Sequence, residues 1–289
     1  MANTRVLRRR IKSIRNTAQI TRAMQMVAAS KMRRAQLLAE AGKPYSDLMN
    51  RILVELRNHV DHTAHPLLQE RPVKKELVIL ISSDRGLAGA LNANLFKVVM
   101  ELDPKITEFI VVGRKGRQFL TRLKRDLQAD FDISDPAKFV ESRRVSRYAL
   151  ERFQSGEVDR VRVLFPKFVN TLTQQPKLET ILPISPIQMG KITAAPPAGT
   201  KINSYGFLFE PEPYQVLDAL LPAYVNYIVY QMVMDAKASE HSARMVAMKS
   251  ATDNAKELIK DLRLEYNKVR QAAITAEIQE ISTAALSMG

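Results

Sequence analysis

Cysteine and tryptophan are both absent from the 289 residues. The first absence removes disulfide frameworks, thiolate metal sites and cysteine nucleophiles from consideration. Histidine is scarce, with four residues in all, His59, His62, His65 and His241. Three of them fall in NHVDHTAHP, a polar stretch beside a proline that reads as a helix end rather than a metal site. Long apolar runs are missing too. The longest uninterrupted one, LVILI at 77–81, is far shorter than a bilayer requires, so no membrane span is expected. The basic N-terminus is followed by neither an apolar signal core nor a small-residue cleavage site, and the expectation is a cytosolic chain.

Helix breakers are missing from both ends. All 14 prolines lie between Pro44 and Pro222, and nine of the ten glycines lie between Gly42 and Gly206. The breaker-free ends, 1–41 and 223–288, are rich in Ala, Leu, Met, Lys, Arg, Glu and Gln, so two very long helices should flank a compact middle. The C-terminal one alone could reach roughly 95 Å at about 1.5 Å per residue, and it is expected to project from the body.

Each end carries an apolar stripe. In the first it runs through Leu7, Ile11, Ile14, Ala18, Thr21, Gln25, Ala28, Met32 and Ala35, with a second line at Ile20, Met24 and Val27. In the last it runs through Tyr224, Ile228, Met232, Met245, Met248, Ile259, Leu262, Tyr266, Val269, Ala273 and Ala276. Alanine-rich seams let helices approach closely, so the two ends should form an antiparallel coiled coil. Packing of both helices flat on the middle domain is the alternative.

Acid is the fourth absence. Residues 1–39 hold ten Arg or Lys and no Asp or Glu, whereas the last helix balances itself through Asp253 with Lys256, Glu257 with Lys260, and Glu265 with Lys268. The formal charge of +14 implies acidic partners: nucleic acid, anionic lipid or an acidic protein surface. A basic coiled-coil nucleic-acid-binding protein would explain the charge. It also calls for stacking aromatics, and the first 40 residues contain no Phe, Tyr or Trp.

The middle alternates apolar strands with helix patterns, as in KKELVILISSDRGLAGALNANLFKVV, EFIVVG and RKGRQFLTRLKRDL, which predicts a parallel, Rossmann-like α/β domain. Two later strands are expected in VRVLFPKFVN and LETILPI, and a proline-bearing linker in KITAAPPAGTKINSYGF. The turn SDRGLAGALN invites comparison with a phosphate loop. Gly86 and Gly89 give only G-x-x-G, short of the dinucleotide fingerprint, and no P-loop motif occurs. A tight strand-to-helix turn is the simpler reading, with Asp84 and Arg85 able to form a local ion pair. Neither a G-x-S-x-G elbow nor an H-E-x-x-H helix is present, so no catalytic residues, cofactor or metal are expected in this chain.

Three stretches, IRNTAQITRAMQMVAASKMRRAQ, SDRGLAGALN and SEHSARMVAMKSATDNAKELIKDLRLEYNKVRQAAIT, resemble in order and spacing the signature regions of the gamma subunit of F-type rotary ATP synthases of the bacterial type. The resemblance spans nearly the whole chain. It implies long helices at 1–60 and 210–289, paired as an antiparallel coiled coil, around a central α/β domain at 72–205. It further implies a central rotor shaft, without catalytic site or cofactor, at the cytoplasmic face of the cell membrane. The implied partners are three alpha and three beta subunits, an epsilon subunit and the membrane c-ring, with no nucleic acid. By resemblance, Met24, Arg270, Gln271, Thr275, Glu277 and Glu280 contact the beta subunits, and Phe209 and Glu210 contact the c-ring. Where many members have CGGLN this chain has AGALN, and its end STAALSMG lacks a frequent glycine pair.

Overall fold

The computed structural model of the chain describes residues 2–57, 65–184 and 209–288. His59, His62 and the expected linker KITAAPPAGTKINSYGF lie outside the described residues. In chain order the elements are α1 (Ala2–Arg57), β1 (Glu76–Ile81), α2 (Leu91–Glu101), β2 (Thr107–Val112), α3 (Arg114–Arg122), β3 (Leu127–Phe131), α4 (Phe139–Gln154), β4 (Arg160–Phe168), β5 (Gln174–Leu182) and α5 (Pro213–Met288). Two compact units result, Met1–Ala29 with Arg244–Gly289, and Ser30–Ala243, and α1 and α5 each contribute to both.

Both long helices tolerate a proline. Pro44 lies inside α1 and removes the amide that would bond the carbonyl of Glu40; Pro222 does the same to Asp218 in α5. Pro213 opens α5 at the position where a missing N–H costs nothing.

The first unit is a helix pair. Arg8 Nη2 donates to Tyr266 Oη at 2.8 Å, and the hydroxyls of Thr21 and Thr252 bond at 2.7 Å. Advancing along α1 while retreating along α5 makes the pair antiparallel. Within this unit the α1 stripe from Leu7 to Ala28 is buried or half-buried throughout, as are Met248, Ile259, Leu262, Tyr266, Val269 and Ala273 on α5. Their three-and-four spacing keeps one seam facing the partner helix. The second α1 line behaves differently. Ile20 and Val27 are 60% and 57% exposed, so it takes no part in this seam.

The second unit is built on a five-stranded sheet of order β3-β2-β1-β4-β5. β1 pairs in parallel with β2 and β4, β2 with β3, and β5 closes the edge antiparallel to β4. β1 and β2 are buried at every residue, as interior parallel strands with both faces covered should be. Alternation splits their side chains between two cores. Leu77, Ile79, Ile81, Ile110 and Val112 face a large core shared with α4 and with residues of α1 and α5. Val78, Leu80, Phe109 and Val111 face a smaller one with Leu95 and Val99 of α2 and Leu120 of α3.

Buried serines let α4 approach α5: Ser142 and Ser146 have no exposed surface, and Ser146 Oγ donates to Asn226 Oδ1 at 2.5 Å. α5 contains a stretch long and apolar enough to cross a membrane by length and composition. Its side chains Leu221, Val225, Val229 and Val233 are at most 1% exposed and belong to the core under the sheet, which accounts for that apolarity without a bilayer.

Candidate functional site

Three regions qualify for consideration: the surface of the helix pair, the segment leading into α5, and the turn after β1. On the helix pair, Thr21 level with Thr252 sets the register. Stepping along both seams from there puts Ala18 level with Ala255 and Leu7 level with Tyr266, in agreement with the Arg8–Tyr266 bond. Among the described residues, none of α1 stands level with α5 beyond about residue 271. Its remaining turns, roughly 25 Å at 1.5 Å per residue, carry exposed isoleucines at Ile274, Ile278 and Ile281, the last 70% exposed. Spaced by four and three, they form one apolar line. Composition did not reveal them as a surface feature, since an isoleucine in an amphipathic helix is ordinarily assigned to its buried face.

The residues singled out by resemblance divide along this register. Arg270, Gln271, Thr275, Glu277 and Glu280 all lie exposed on the last turns of α5. Thr275 Oγ1 is tied to the carbonyl of Gln271 at 2.9 Å, and the Arg270 guanidinium lies 6.0 Å from the Tyr266 ring centroid, a cation–π contact that steadies its stem. Gln271 and Thr275 point away from the seam. Met24 is half-buried and level with about residue 249, some 30 Å from Arg270 along the pair at 1.5 Å per residue, so the structure does not bring it together with the others. Between these two levels α1 presents Arg5, Arg9, Arg10, Lys12, Arg15 and Arg22 as exposed cations. In the second unit Phe209 is half-buried against the large core, and Glu210 beside it is exposed.

The turn after β1 is held by its own polar residues. Asn92 Nδ2 donates to Ser83 Oγ at 2.7 Å, and the Ser83 amide donates to Asn92 Oδ1 at 3.2 Å. Gly89 sits at φ +58°. Ala90, the N-cap of α2, has φ −84°, which any residue adopts without strain. Asp84 pairs with Lys237 of α5 at 3.3 Å and accepts the amide of Arg114 at 3.3 Å. In an open sheet of this order a nucleotide would bind outside the carboxyl ends of β1 and β4. Here the Lys237 ammonium, on a side chain only 8% exposed, stands beside the end of β1.

His65 has a defined tautomer. Its Nδ1 accepts the amide of Leu67 at 3.1 Å, which leaves Nε2–H to donate to Asp218 Oδ1 at 3.1 Å. It ties the segment after α1 to the start of α5. Among the described residues, no group of three His, Asp or Glu side chains is placed to hold a metal ion.

The family model for ATP synthase matches residues 3–288. The chain belongs to the ATP synthase gamma chain family. It is 51% identical to the ATP synthase gamma chain of Opitutus terrae over 98% of each chain, and 46% identical to that of Methylacidiphilum infernorum over 100% of each. Among solved structures it is similar to a chain of the Euglena gracilis mitochondrial ATP synthase, with a TM-score of 0.68 at 21% identity, covering 99% of this chain and 95% of that one. A chain from the central stalk and c-ring of the Tetrahymena thermophila enzyme gives a TM-score of 0.59 at 23% identity, covering 80% of this chain and 99% of that one. At these identities the structural likeness speaks for the fold.

Proposed function

We propose that the chain is the central rotor of a bacterial F-type ATP synthase, turning inside a ring of three alpha and three beta subunits and coupling ion flow at the c-ring to catalysis in beta. The observation that carries this reading is the full-length family match on a chain whose paired terminal helices end in an unaccompanied, apolar-lined segment of α5. A rotor needs asymmetry. A helix pair has no threefold axis, so each of three identical sites meets a different face and its conformational equilibrium is biased differently. Moving one site from 1:99 to 99:1 takes about 5.5 kcal/mol of differential contact. Arg270, Gln271, Thr275, Glu277 and Glu280 with Arg5 at one level, Met24 at another, and the exposed cations from Arg9 to Arg22 between them, supply polar and charged contacts to the beta subunits. Phe209 and Glu210 supply the contact with the c-ring, beside an epsilon subunit.

On this reading the chain contributes no catalytic group of its own and sits peripherally at the cytoplasmic face of the cell membrane. Two measurements test it. Tagged chain purified from its native membranes should bring down alpha and beta subunits, and its failure to do so removes the rotor reading. Calorimetric titration of the purified chain with ATP, ADP or NAD should give no saturable heat; a stoichiometric isotherm would reinstate an enzyme built on the sheet.

A further inference from the structure

Apolar packing holds α5 against the sheet, but it is non-directional and resists separation better than it resists twisting of a helix about its own axis. Directional contacts are needed to fix the angle. In the second unit α5 has single bonds of this kind to α4 (Ser146 Oγ to Asn226 Oδ1), to His65 and from Ser242 Oγ to the Thr171 carbonyl at 2.7 Å, and its charged ones lie where two loop carboxylates after β1 and β3 reach the long helices. Asp84, after β1, pairs with Lys237 at 3.3 Å. Asp135, after β3, receives Lys31 Nζ of α1 at 2.7 Å on Oδ2, and His241 Nε2 of α5 lies 3.2 Å from the same oxygen. Lys237 and His241 are four residues apart on one face of α5, and their side chains are only 8% and 4% exposed. Lys237 Nζ also reaches the carbonyl of Ile133 in the Asp135 loop at 3.5 Å. One loop thus grips both helices, and the second carboxylate grips α5 one turn away.

Resting on the rotor reading above, we propose that Asp135, with Lys31, His241 and the Asp84–Lys237 pair, is the joint that fixes the angular position of the two long helices against the sheet and carries torque between them. These are positioning residues, touching no reacting group. The Asp135 carboxyl is held well below the ordinary aspartate range, first by its contact with His241 and then by Lys31 against the opposing effect of burial, so the carboxylate stays charged across neutral pH. Lys31 is half-exposed, and its contact alone would be weak. The buried ends of the joint lie on α5.

The test uses the assembled complex, with ATP hydrolysis and proton pumping measured in parallel at matched complex levels. Asp135→Asn and Lys237→Met should each lower the protons pumped per ATP hydrolysed while hydrolysis continues. Hydrogen exchange in 132–138 should show the open joint about tenfold more populated, the factor corresponding to one charge-assisted bond of ~1.4 kcal/mol. Since the chain has no cysteine, Asp84→Cys with Lys237→Cys, which ties the loop after β1 to α5, can be joined by a short thiol-cleavable linker. Coupling should be low in the unlinked pair, restored by the linker and lost again on reduction, a pattern that a variant with merely damaged folding does not give. Full coupling in both single variants, or a linked pair that stays uncoupled, overturns the joint. If complexes with the unaltered chain show no ATP-driven pumping, the rotor reading itself fails and the joint falls with it.

Discussion

Thr21 and Thr252 bond hydroxyl to hydroxyl at 2.7 Å in the buried seam of the helix pair, and each also reaches a carbonyl on its own helix, Ala18 at 3.1 Å and Met248 at 2.8 Å. With one proton apiece, the two hydroxyls have three acceptors to serve. Replacing one threonine by valine therefore leaves the other a carbonyl to donate to. Thr252→Val should cost about 1 kcal/mol, whereas Thr21→Val with Thr252→Val should be near neutral, because removing both polar partners at constant shape leaves nothing unsatisfied across the seam. Urea unfolding of the full-length chain gives the double-mutant cycle. Additive losses would mean that the threonines do not interact.

Glu76, 1% exposed at the start of β1, accepts from Thr107 at 2.9 Å and is gripped by Arg160 and Arg162 of β4. Burial raises its pKa, but the bonds from Arg160, Thr107 and Arg162 outweigh that, and the net shift is downward. A carboxyl whose folded-state pKa is depressed adds stability above the unfolded value of about 4.3, and that contribution fades as the pH falls through the folded value. Glu76→Gln should cost about 3 kcal/mol at neutral pH by leaving two arginines without their acceptor, and the difference from the unaltered chain should shrink in acid. A difference that stays constant from pH 7 to below the carboxylate range would exclude the linkage.

Gly116 offers a test in which helix propensity and packing have opposite signs. It lies in the first turn of α3, where alanine is normally favoured by at most about 1 kcal/mol. A Cβ there would stand 2.7 Å from both Ser82 Oγ and Val111 Cγ2, and Ser82 Oγ already accepts the Gly116 amide at 2.8 Å. Overpacking of this kind costs about 1–3 kcal/mol, so Gly116→Ala should lower the thermal midpoint despite the better helix former. A raised midpoint would show that the strand and Ser82 yield easily.

The long helices, the heptad seam and the central strands were legible in the sequence because each follows from a period or an unbroken apolar run. Two elements were not. β3 is a five-residue edge strand, LQADF, alternating half-buried and exposed residues, too short and polar to stand out. α4 buries Ser142 and Ser146 where a pattern reader expects apolar residues, so its true stripe with Val145, Ala149 and Phe153 is hidden. The stretch TLTQQPK, between the two expected later strands, is half strand: β5 begins at Gln174, and Pro176 is accommodated opposite Pro166 at the sheet edge. Exposed Ile20 and Val27 mark the converse limit. Periodicity reports an apolar line without saying whether the partner that covers it belongs to the same chain.

On the proposed function, transmission by the helix pair makes different demands on the two levels assigned to beta contact. Met24 is half-buried with a soft thioether, and replacing it by lysine adds a cation to a helix already rich in exposed arginines. If the proposed beta contact is acidic, as the basic surplus of α1 calls for, the new ammonium forms a charge-assisted tether that must break at every step of rotation. Met24→Lys should therefore leave ATP hydrolysis present but slowed, by about tenfold for each ~1.4 kcal/mol of added grip, and should lower the protons pumped per ATP. Arg270→Ala and Gln271→Ala replace exposed side chains on the last turns of α5, where Arg270 rests against the Tyr266 ring, so fold and assembly should be unaffected. Their loss should lower turnover, with the coupling ratio of the remaining activity preserved. Membranes carrying each variant at matched complex levels, assayed for hydrolysis and pumping together, separate the two outcomes. Unchanged rates and unchanged coupling in all three variants would show that transmission runs through other residues of the pair, with exposed Ile274, Ile278 and Ile281 the next to be replaced.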